Sequence, residues 1–452
     1  MRFRRLWPIG LLALALASTG CDTGRKNPPD TLVRVLNATA NYPALAFKRG
    51  RAEIQPMTVD FLGGNQATWD VDTYNFHVTY VDIQAQKEVE VENFTKQISS
   101  GTWYTFVLYQ KAGNVTHKVL ESPPVTTAAT DAQIQAMHAV ENAPTVDFYI
   151  VTAGAGVAGA TPWGTLAFEG TLPVRNVAAG DYQVVATEPG NPAHVLYTSP
   201  GFTLSAGAAV TFTLTPDAGE GIQPFSMTVL NNTSSVFVDQ SLPAGVRVIN
   251  GAYDRQPRDV AFNSQFTPPL FSGTVFVTPT PYMPLTPGVD VPINVTPPGN
   301  PGVLELTSAF SPTSGASFTV LFTGPTGALF PNTPQDDRRR VKSQVKLSFY
   351  SVSSLCGDCD LLLLSPGTDP DTVAALDPFF GTDPFPQITP AAVVPVTHFP
   401  GDYEVTVRRQ GTLTIMSGPT AVTLKDSGLY GIILSDNPNG TTVDMTLIDD
   451  FK

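Results

Sequence analysis

Three glycines spaced as in a dinucleotide-binding loop are the first residues that could do chemistry. They are Gly154, Gly156 and Gly159, in the stretch "TAGAGVAGA" that follows the apolar run "VDFYIV". Binding a pyrophosphate would require a helix to begin at these glycines, so that its free amides meet the phosphates. The following stretch, "TPWGTLAFEG", holds a proline and two glycines, which exclude a helix of useful length. We interpret the segment as an inter-strand loop and expect no cofactor.

A cysteine pair in the motif "CGDC", Cys356 and Cys359, is the second candidate. A redox pair of the thioredoxin type needs a helix that begins at the motif, whereas the flanking stretches "VKLSFYSVSSL" and "DLLLL" are typical of strands. A zinc site needs two further ligands at suitable spacing, which the nearby sequence lacks. We favour a structural disulfide that tightens a turn, over free thiols, a redox pair or a metal site.

Five scattered histidines offer little for catalysis. His77 lies on the polar side of an alternating strand, and His138 stands where related stretches have Asn37 and Asn250, so we expect surface or turn roles. The sequence holds no G-x-S-x-G elbow, H-E-x-x-H pair or phosphate-binding P-loop. We therefore assign no catalytic residue and no metal site, and predict that the protein is not an enzyme.

Two acidic loops near the C-terminus, "SPGTDPDT" and "FFGTDPFP", carry Asp369, Asp371, Asp377 and Asp383. Carboxylates on a loop can bind calcium. Asp-Pro and Gly-Thr-Asp are also ordinary turn formers, and we favour the turn interpretation.

Tryptophans are the residues most suited to stacking on a sugar. Trp69 and Trp163 would serve this purpose if they were exposed, whereas strand aromatics such as Trp103 and Tyr104 more often pack in a core. Burial of both Trp69 and Trp163 would weaken a sugar-binding hypothesis.

Composition excludes one class of partner. The 452 residues carry 26 Lys and Arg against 39 Asp and Glu, a net charge of -13, so a nucleic acid backbone would be repelled. Glycine and proline are abundant, yet 42% of residues are hydrophobic, which argues against disorder. We interpret the glycines and prolines as turns between many short strands.

The N-terminus is typical of a secretory signal, in residues 1–20. Arginines precede a short apolar run, Leu6 to Ala17, which is too brief to span a bilayer. "STGC", ending at Cys21, resembles the lipobox of bacterial lipoproteins, although serine replaces the usual leucine. In that motif the cysteine becomes the lipidated N-terminus. "ALA", at Ala15 to Ala17, fits an ordinary cleavage site and remains an alternative.

The segment after this cysteine indicates where the protein resides. Residues 21–31 include "DTGRKNPPD", a polar, proline-containing stretch suited to a tether. No later segment is long and apolar enough to cross a membrane as a helix. We expect a lipoprotein of the bacterial cell envelope, anchored through Cys21, on the periplasmic side or the cell surface. The choice between inner and outer membrane stays open.

Internal repeats give the clearest structural information. "VRVLN", "IQAMH", "VRVIN" and "VKLSF" begin at Val33, Ile134, Val246 and Val345, roughly 100 residues apart, and alternate as half-buried strands do. Later in each unit come a second strand-like stretch, such as "DYQVVAT" and "DYEVTV", and a glycine turn followed by a strand, such as "SAGAAVTFTL". These patterns predict an all-β chain of tandem immunoglobulin-like or transthyretin-like β-sandwiches.

The predicted repeats cover residues 32–130, 131–243, 244–340 and 341–452, with boundaries in polar stretches. The last boundary contains Arg338, Arg339 and Arg340. We expect a solvated inter-domain linker there, with a basic contact or a protease-sensitive site as the alternative.

The second unit, "MHAVENAPTVDFYI" to "GFTLSAGAAVTFTL", resembles the bacterial family known as domain of unknown function 4397. The resemblance implies tandem β-sandwiches in exported, often surface-associated proteins, and it implies no activity. The family's aspartate corresponds to Asp147, and we place Ala46 and Ala261 at the equivalent positions of units 1 and 3. The sequence thus favours a non-enzymatic structural or surface-binding protein, whose partner is an unknown envelope protein or polysaccharide. The alternative is an array of carbohydrate- or polymer-binding modules.

Overall fold

The computed structural model describes residues 31–126, 129–217, 225–356, 359–373 and 393–450. These residues form β-strands almost throughout, with a single one-turn 3-10 helix at Pro370–Thr372. The strands divide into four groups in chain order, and each group makes two sheets. The predicted all-β fold of tandem sandwiches is confirmed. We call the groups modules 1 to 4; in each, the opening sheet contains the first strand and the companion sheet faces it.

Module 1 has eight strands. They are β1 Thr31–Asn37, β2 Leu45–Lys48, β3 Met57–Val59, β4 Gly64–Trp69, β5 Asp72–Asp82, β6 Lys87–Ile98, β7 Trp103–Lys111 and β8 Asn114–Ser122. The opening sheet has the order β4-β1-β7-β8 and the companion sheet the order β3-β2-β5-β6.

Module 2 adds two short strands to this plan. Its strands are β9 Asp131–His138, β10 Val146–Thr152, β11 Gly164–Leu166, β12 Thr171–Ala178, β13 Gly180–Glu188, β14 Asn191–Thr198, β15 Phe202–Leu204, β16 Ala209–Pro216, β17 Phe225–Leu230 and β18 Ser234–Phe237. The opening sheet is β12-β9-β16-β17-β18, and the companion sheet is β11-β10-β13-β14 with β15 also paired to β13.

Module 3 follows the same order. Its strands are β19 Ala244–Ala252, β20 Arg258–Phe262, β21 Phe271–Thr274, β22 Met283–Leu285, β23 Val291–Thr296, β24 Leu306–Phe310, β25 Ser317–Gly324, β26 Phe330–Asn332 and β27 Gln335–Asp336. The sheets are β22-β19-β25-β26, with β27 also paired to β25, and β21-β20-β23-β24.

Module 4 completes the chain. Its strands are β28 Val345–Val352, β29 Cys359–Leu364, β30 Val393–His398, β31 Gly401–Arg409, β32 Ile415–Leu424, β33 Leu429–Asp436 and β34 Val443–Asp449. The opening sheet is β30-β28-β33-β34, and the described strands of the companion sheet are β29-β31-β32.

The repeated sequence stretches occupy equivalent strands. The opening strands β1, β9, β19 and β28 each pair in parallel with the strand after the glycine turn, namely β7, β16, β25 and β33. The other ladders between the described strands are antiparallel. Side chains that alternate inward along both sheets build one apolar core in each module, as the period of two requires.

Three modules secure the start of their central companion strand with a tyrosine. The phenolic O–H donates to the backbone carbonyl four residues upstream, from Tyr74 to Asp70, from Tyr182 to Ala178 and from Tyr403 to Phe399. This arrangement resembles the tyrosine corner of immunoglobulin-like sandwiches. Module 3 has Val291 at this position on the equivalent strand β23.

Candidate functional site

The predicted signal, Cys21 and most of the tether lie outside the described residues, as do Asp377 and Asp383. Lipidation of Cys21 therefore stays a prediction. Within the described ranges, no helix has the length and hydropathy needed to cross a bilayer.

The cysteine pair lies in the core of module 4. The structure joins Cys356 to Cys359 by a disulfide, with 5.5 Å between the Cα atoms, where the chain passes from β28 to β29. Both side chains are buried, and the Sγ of Cys359 lies 3.6 Å from the Sδ of Met416. A bridge enclosed in this way can staple two strands, but a redox partner has no access to its sulfur atoms.

The glycine-rich stretch forms a loop after β10. Gly154, Gly156 and Gly159 have positive φ angles, which glycine adopts without strain, and the next element is the short strand β11. Local turns close the loop through hydrogen bonds from Ala155 N to Thr152 O and from Ala160 N to Val157 O, both 3.0 Å. The loop does not open a helix, so it lacks the geometry of a dinucleotide fingerprint.

The aspartate of the second strand recurs in three modules, and our placement of Ala261 was wrong. Each carboxylate accepts a hydrogen bond from the glycine N–H that turns the neighbouring hairpin: Asp147 from Gly190 at 2.7 Å, Asp259 from Gly299 at 2.9 Å and Asp360 from Gly411 at 3.1 Å. The pairing register is the same in all three, because the strand partner of each aspartate lies three residues before that glycine. Ala46 fills the place in module 1.

These carboxylates have a structural task. Asp147 also accepts from the hydroxyl of Thr165 at 2.6 Å, and Asp259 accepts from the N–H of Gly273 at 2.7 Å. All three aspartates are buried, so their hydrogen bonds offset the loss of hydration. Each one fastens a hairpin turn to its own sheet.

Two of the histidines, His138 and His77, are buried and bonded to neighbouring groups. His138 is fully buried, where its Nδ1 accepts from Val140 N at 3.2 Å, as the side chains of Asn37 and Asn250 accept from Thr39 and Ala252. This is the turn role expected. His77 is also buried, which corrects the surface interpretation, and its Nδ1 lies 2.6 Å from a carboxylate oxygen of Glu90.

The acidic loop and the tryptophans serve packing and turns. Asp369 caps the 3-10 helix by accepting from the N–H of Asp371 at 3.0 Å, and no cluster of three or more metal-binding side chains occurs in the part of the chain that the structure describes. Trp69 is buried in the core of module 1, and Trp163 is half-buried against Phe148. Neither of these tryptophans provides an open stacking platform.

Modules 1 and 2 pack through their opening sheets, around a buried arginine. Arg34 on β1 is 2% exposed and donates to Thr105 Oγ1 at 3.1 Å, to the carbonyl of Ala209 at 2.7 Å and to Thr211 Oγ1 at 3.4 Å. The equivalent residue of module 2, Gln135, donates to Thr211 at 2.9 Å. Among the described residues, no carboxylate forms an ion pair with Arg34, and burial lowers the pKa of its guanidinium.

An apolar patch surrounds this polar centre. It consists of buried side chains from both modules, namely Leu36, Ala38, Val107, Tyr109, Leu120, Met137, Ala139 and Leu230. The outer faces of the two opening sheets therefore bury each other, and the two modules pack as one body.

Modules 3 and 4 repeat the arrangement with an anion added. Arg247, at the position equivalent to Arg34, donates to Thr319 Oγ1 at 2.8 Å, to Tyr350 Oη at 3.0 Å and to both carboxylate oxygens of Asp450 at 2.5 and 3.1 Å. Burial disfavours the charge of Arg247, but the hydrogen bonds and charge of Asp450 hold its pKa above the ordinary value. Apolar contacts of Ile249, Leu321 and Ile433 complete this interface. We call each of the two interfaces between opening sheets, that of modules 1 and 2 and that of modules 3 and 4, a seam.

The segment between modules 3 and 4 is docked on module 1, which corrects the expectation of a solvated linker. Arg339 donates to the carbonyl of Tyr42 at 3.2 Å, and its guanidinium carbon lies 4.9 Å from the ring centre of Phe61. Lys342 donates from its backbone N–H to Asn41 O at 2.9 Å and from Nζ to Tyr42 Oη at 3.0 Å. We call residues 337–344 the docked linker.

A further contact closes the set of four. Modules 2 and 3 meet where Ser314 Oγ of module 3 donates to the carbonyl of Gln240 at 3.4 Å, and Gly315 N donates to the carbonyl of Pro243 at 3.2 Å. Modules 1 and 2, 2 and 3, 3 and 4, and the docked linker and module 1 are all in contact. The chain is a packed block rather than a string of separate modules.

An open cleft of about 510 Å³ lies where this packing brings three parts of the chain together. Module 1 contributes Asn41, Tyr42 and Gln110, module 2 contributes Val140, Glu141 and Asn142 among others, and the docked linker and module 4 contribute Lys342 and Ser427. Its size lies within the range of small-molecule sites, and such sites occur preferentially between domains. Sequence reasoning missed this cleft, because its residues come from many stretches that lie far apart in the sequence.

Comparisons with known proteins assign no function to the chain. No family model and no curated protein matches the chain. Among solved structures, the chain is similar to the Bacillus anthracis TIE protein, at 9% sequence identity and a TM-score of 0.15, over 91% of this chain and 74% of that chain. It is also similar to a candidate cell adhesion protein from Bacteroides fragilis, at 10% identity and a TM-score of 0.16, over 68% and 98% of the respective chains. Both likenesses are too distant to carry a function to this protein.

Proposed function

We propose that the protein is a non-enzymatic lipoprotein of the bacterial cell envelope, tethered through Cys21, whose four modules act as one rigid block with a structural or surface-binding role. The observation that carries this proposal is the docking of the modules on one another. The polar groups that recur between repeats, the second-strand aspartates and the opening-strand arginines, are engaged in turns and seams.

Scattering by the full soluble chain tests the rigid block. A compact body of this length has a radius of gyration of about 22 Å, whereas four separate modules of about 13 Å each, strung end to end, would exceed about 30 Å. We expect small-angle X-ray scattering of residues 22–452 to give the smaller value, unchanged between low and high salt. The larger value would refute the block.

Metabolic labelling tests the anchor separately. The tether enters module 1 at β1, so lipid on Cys21 would hold the block close to a membrane. Cells that express the wild type should incorporate a palmitate analogue into the protein, and cells that express Cys21→Ser should not. Equal incorporation in both would exclude the anchor.

Sugar binding is the second candidate function, with the cleft rather than exposed tryptophans as its site. The stacking of sugars on exposed tryptophans loses its support, because Trp69 is buried and Trp163 is half-buried. The three-part cleft favours sugar binding instead, because it gathers amide and charged side chains from modules 1 and 2 and the docked linker over a partly apolar floor.

A further inference from the structure

We propose that the cleft between module 1, module 2 and the docked linker binds a short, uncharged oligosaccharide. This inference rests on the second candidate function and names its site and ligand class. It is independent of the lipid anchor at Cys21.

The floor of the cleft is apolar and fixed. Ala139 and Val140, which follow β9, are buried at 1% and 7% exposure, and Pro216 ends β16 beside them. Both strands belong to the opening sheet of module 2, which is held against module 1, so the floor cannot shift without breaking that seam. Pro216 is the partly exposed residue of this floor, so its ring is the apolar surface that can meet the C–H face of a sugar, which must be desolvated on binding.

The rim carries amide and carboxylate groups with hydrogen-bonding capacity to spare. Gln110 uses its Oε1 to accept from Asn41 N at 3.0 Å, and Glu141 uses its Oε2 to accept from Ala112 N at 2.7 Å. In the described part of the chain, the other polar atoms of these two side chains and the side-chain amides of Asn41 and Asn142 have no hydrogen-bond partner. Planar amides present a donor and an acceptor side by side, which suits the paired hydroxyls of a sugar.

Charge selects against anionic ligands. Glu141 and Lys342 are the charged residues that line the cleft, and their formal charges cancel. The whole chain has a net charge of -13, so its field repels polyanions. A phosphate-rich or uronic polymer would meet one ammonium group and an unfavourable field, whereas a neutral glycan would incur neither cost.

The docked linker builds one wall of the site. Lys342 reaches Tyr42 Oη through Nζ and Asn41 O through its backbone N–H, so its position depends on the contact between linker and module 1. The hydrogen bond to Tyr42 raises the pKa of Lys342, which therefore stays charged at neutral pH. Two of its three ammonium hydrogens remain for a ligand oxygen.

Calorimetric titration of residues 22–452 with chitotriose, cellotriose, maltotriose and mannotriose tests the proposal. We expect at least one of them to bind with micromolar to low millimolar affinity. Asn142→Ala and Glu141→Ala should each weaken that binding about tenfold, the loss of one good hydrogen bond. Tri-galacturonate, the anionic probe, should bind at least tenfold more weakly than the best neutral trisaccharide.

Matched variants distinguish the cleft from the rest of the surface. Asn300→Ala changes an exposed asparagine on module 3 and should leave binding unchanged. Lys342→Met should weaken binding, whereas Lys425→Met, at an exposed lysine of module 4, should not. Failure of all four trisaccharides to bind, or binding unaffected by all three cleft variants, would overturn the sugar site. Neither outcome touches the palmitate test, so the envelope proposal stands or falls separately.

Discussion

The two seam arginines occupy the same repeat position but differ in their partners, so their replacement should have unequal consequences. Arg247 makes a two-pronged ion pair with Asp450, and the two side chains are 5% and 15% exposed. Arg34 bonds to two threonine hydroxyls and one carbonyl, with no carboxylate partner among the described residues. We predict that Arg247→Met destabilises its seam much more than Arg34→Met does.

The magnitude follows from what each substitution leaves behind. Removing one partner of a buried ion pair costs about 3 to 5 kcal/mol, because the remaining charge is uncompensated, here Asp450. At Arg34, the hydrogen bonds of a charged donor contribute about 1.5 to 3 kcal/mol each, but a buried guanidinium without an anion carries a desolvation penalty of several kcal/mol. Methionine fills a similar volume. We expect Arg34→Met to change seam stability by less than about 2 kcal/mol.

Native-state hydrogen exchange of the full chain measures both seams in one sample, since each is reported by peptides from its own opening strand. Protection of β19 should fall by at least about 2 kcal/mol more in Arg247→Met than protection of β1 falls in Arg34→Met. Asp450→Asn, which breaks the same pair from the other side, should weaken β19 as well. Equal losses at the two seams, or a larger loss at β1, would refute the electrostatic reasoning.

Two further predictions concern single turns. Asp259→Ala removes a buried carboxylate that accepts hydrogen bonds from the N–H groups of Gly299 and Gly273. It should lower the unfolding free energy of module 3 by about 2 to 3 kcal/mol in urea titrations, and Asp259→Asn should recover about half of that loss. An unchanged urea midpoint in Asp259→Ala would contradict the turn role. Burial lowers the pKa of His138, so module 2 should lose stability as the pH falls below about 6.5, where the unfolded chain takes up the proton. His138→Asn should keep the turn and abolish that loss, as thermal melts at pH 7.5 and 5.0 would show; a loss that persists in the variant would contradict it.

Local patterning was sufficient to predict the modules. The alternation in "VRVLN" and its three counterparts identifies strands that are half-buried in their own core, and the structure places all four as opening strands with the same parallel partner. Such information is carried by side chains two residues apart, so a single sequence discloses it.

Equivalent positions were harder to assign. Ala261 and Asp259 both lie on strand β20 with the same orientation, because they are two residues apart, and periodicity cannot distinguish them. What distinguishes them is their partner on the neighbouring strand. Only the partner of Asp259, Thr296, lies three residues before the hairpin glycine Gly299, and this contact joins residues about 40 positions apart in the sequence. The sequence signal that could have found it is the order proline, one or two residues, aspartate, which occurs before both Asp147 and Asp259.

The seams and the cleft could not be predicted from the sequence, for a related reason. The outer faces of the opening sheets carry Arg34, Thr105, Gln135 and Thr211, residues that look like ordinary solvated strand positions when each module is considered alone. Their burial arises only when two modules meet, and a half-polar seam of this kind leaves little hydrophobic signal. The docked linker illustrates the same point, since Arg339 and Lys342 bond to carbonyls and aromatic rings of a module that lies 300 residues away in sequence.

The buried polar groups in the two seams fix how the modules of each pair are oriented, and this bears on function. An all-apolar interface between repeats would tolerate many relative orientations. The guanidinium of Arg34 is satisfied only when the carbonyl of Ala209 and the hydroxyl of Thr211 in the other module are in place, and that of Arg247 only when the carboxylate of Asp450 is. Such groups fix the orientation of each pair even where they add little stability. Because the cleft rim combines Gln110 of module 1, Glu141 of module 2 and Lys342 of the docked linker, this fixed orientation is what holds its hydrogen-bonding groups at constant spacing. A fixed orientation of modules 1 and 2 suits recognition of a ligand whose hydroxyl groups have a set spacing. Arg34 therefore supports the proposed sugar site by fixing how these two modules pack.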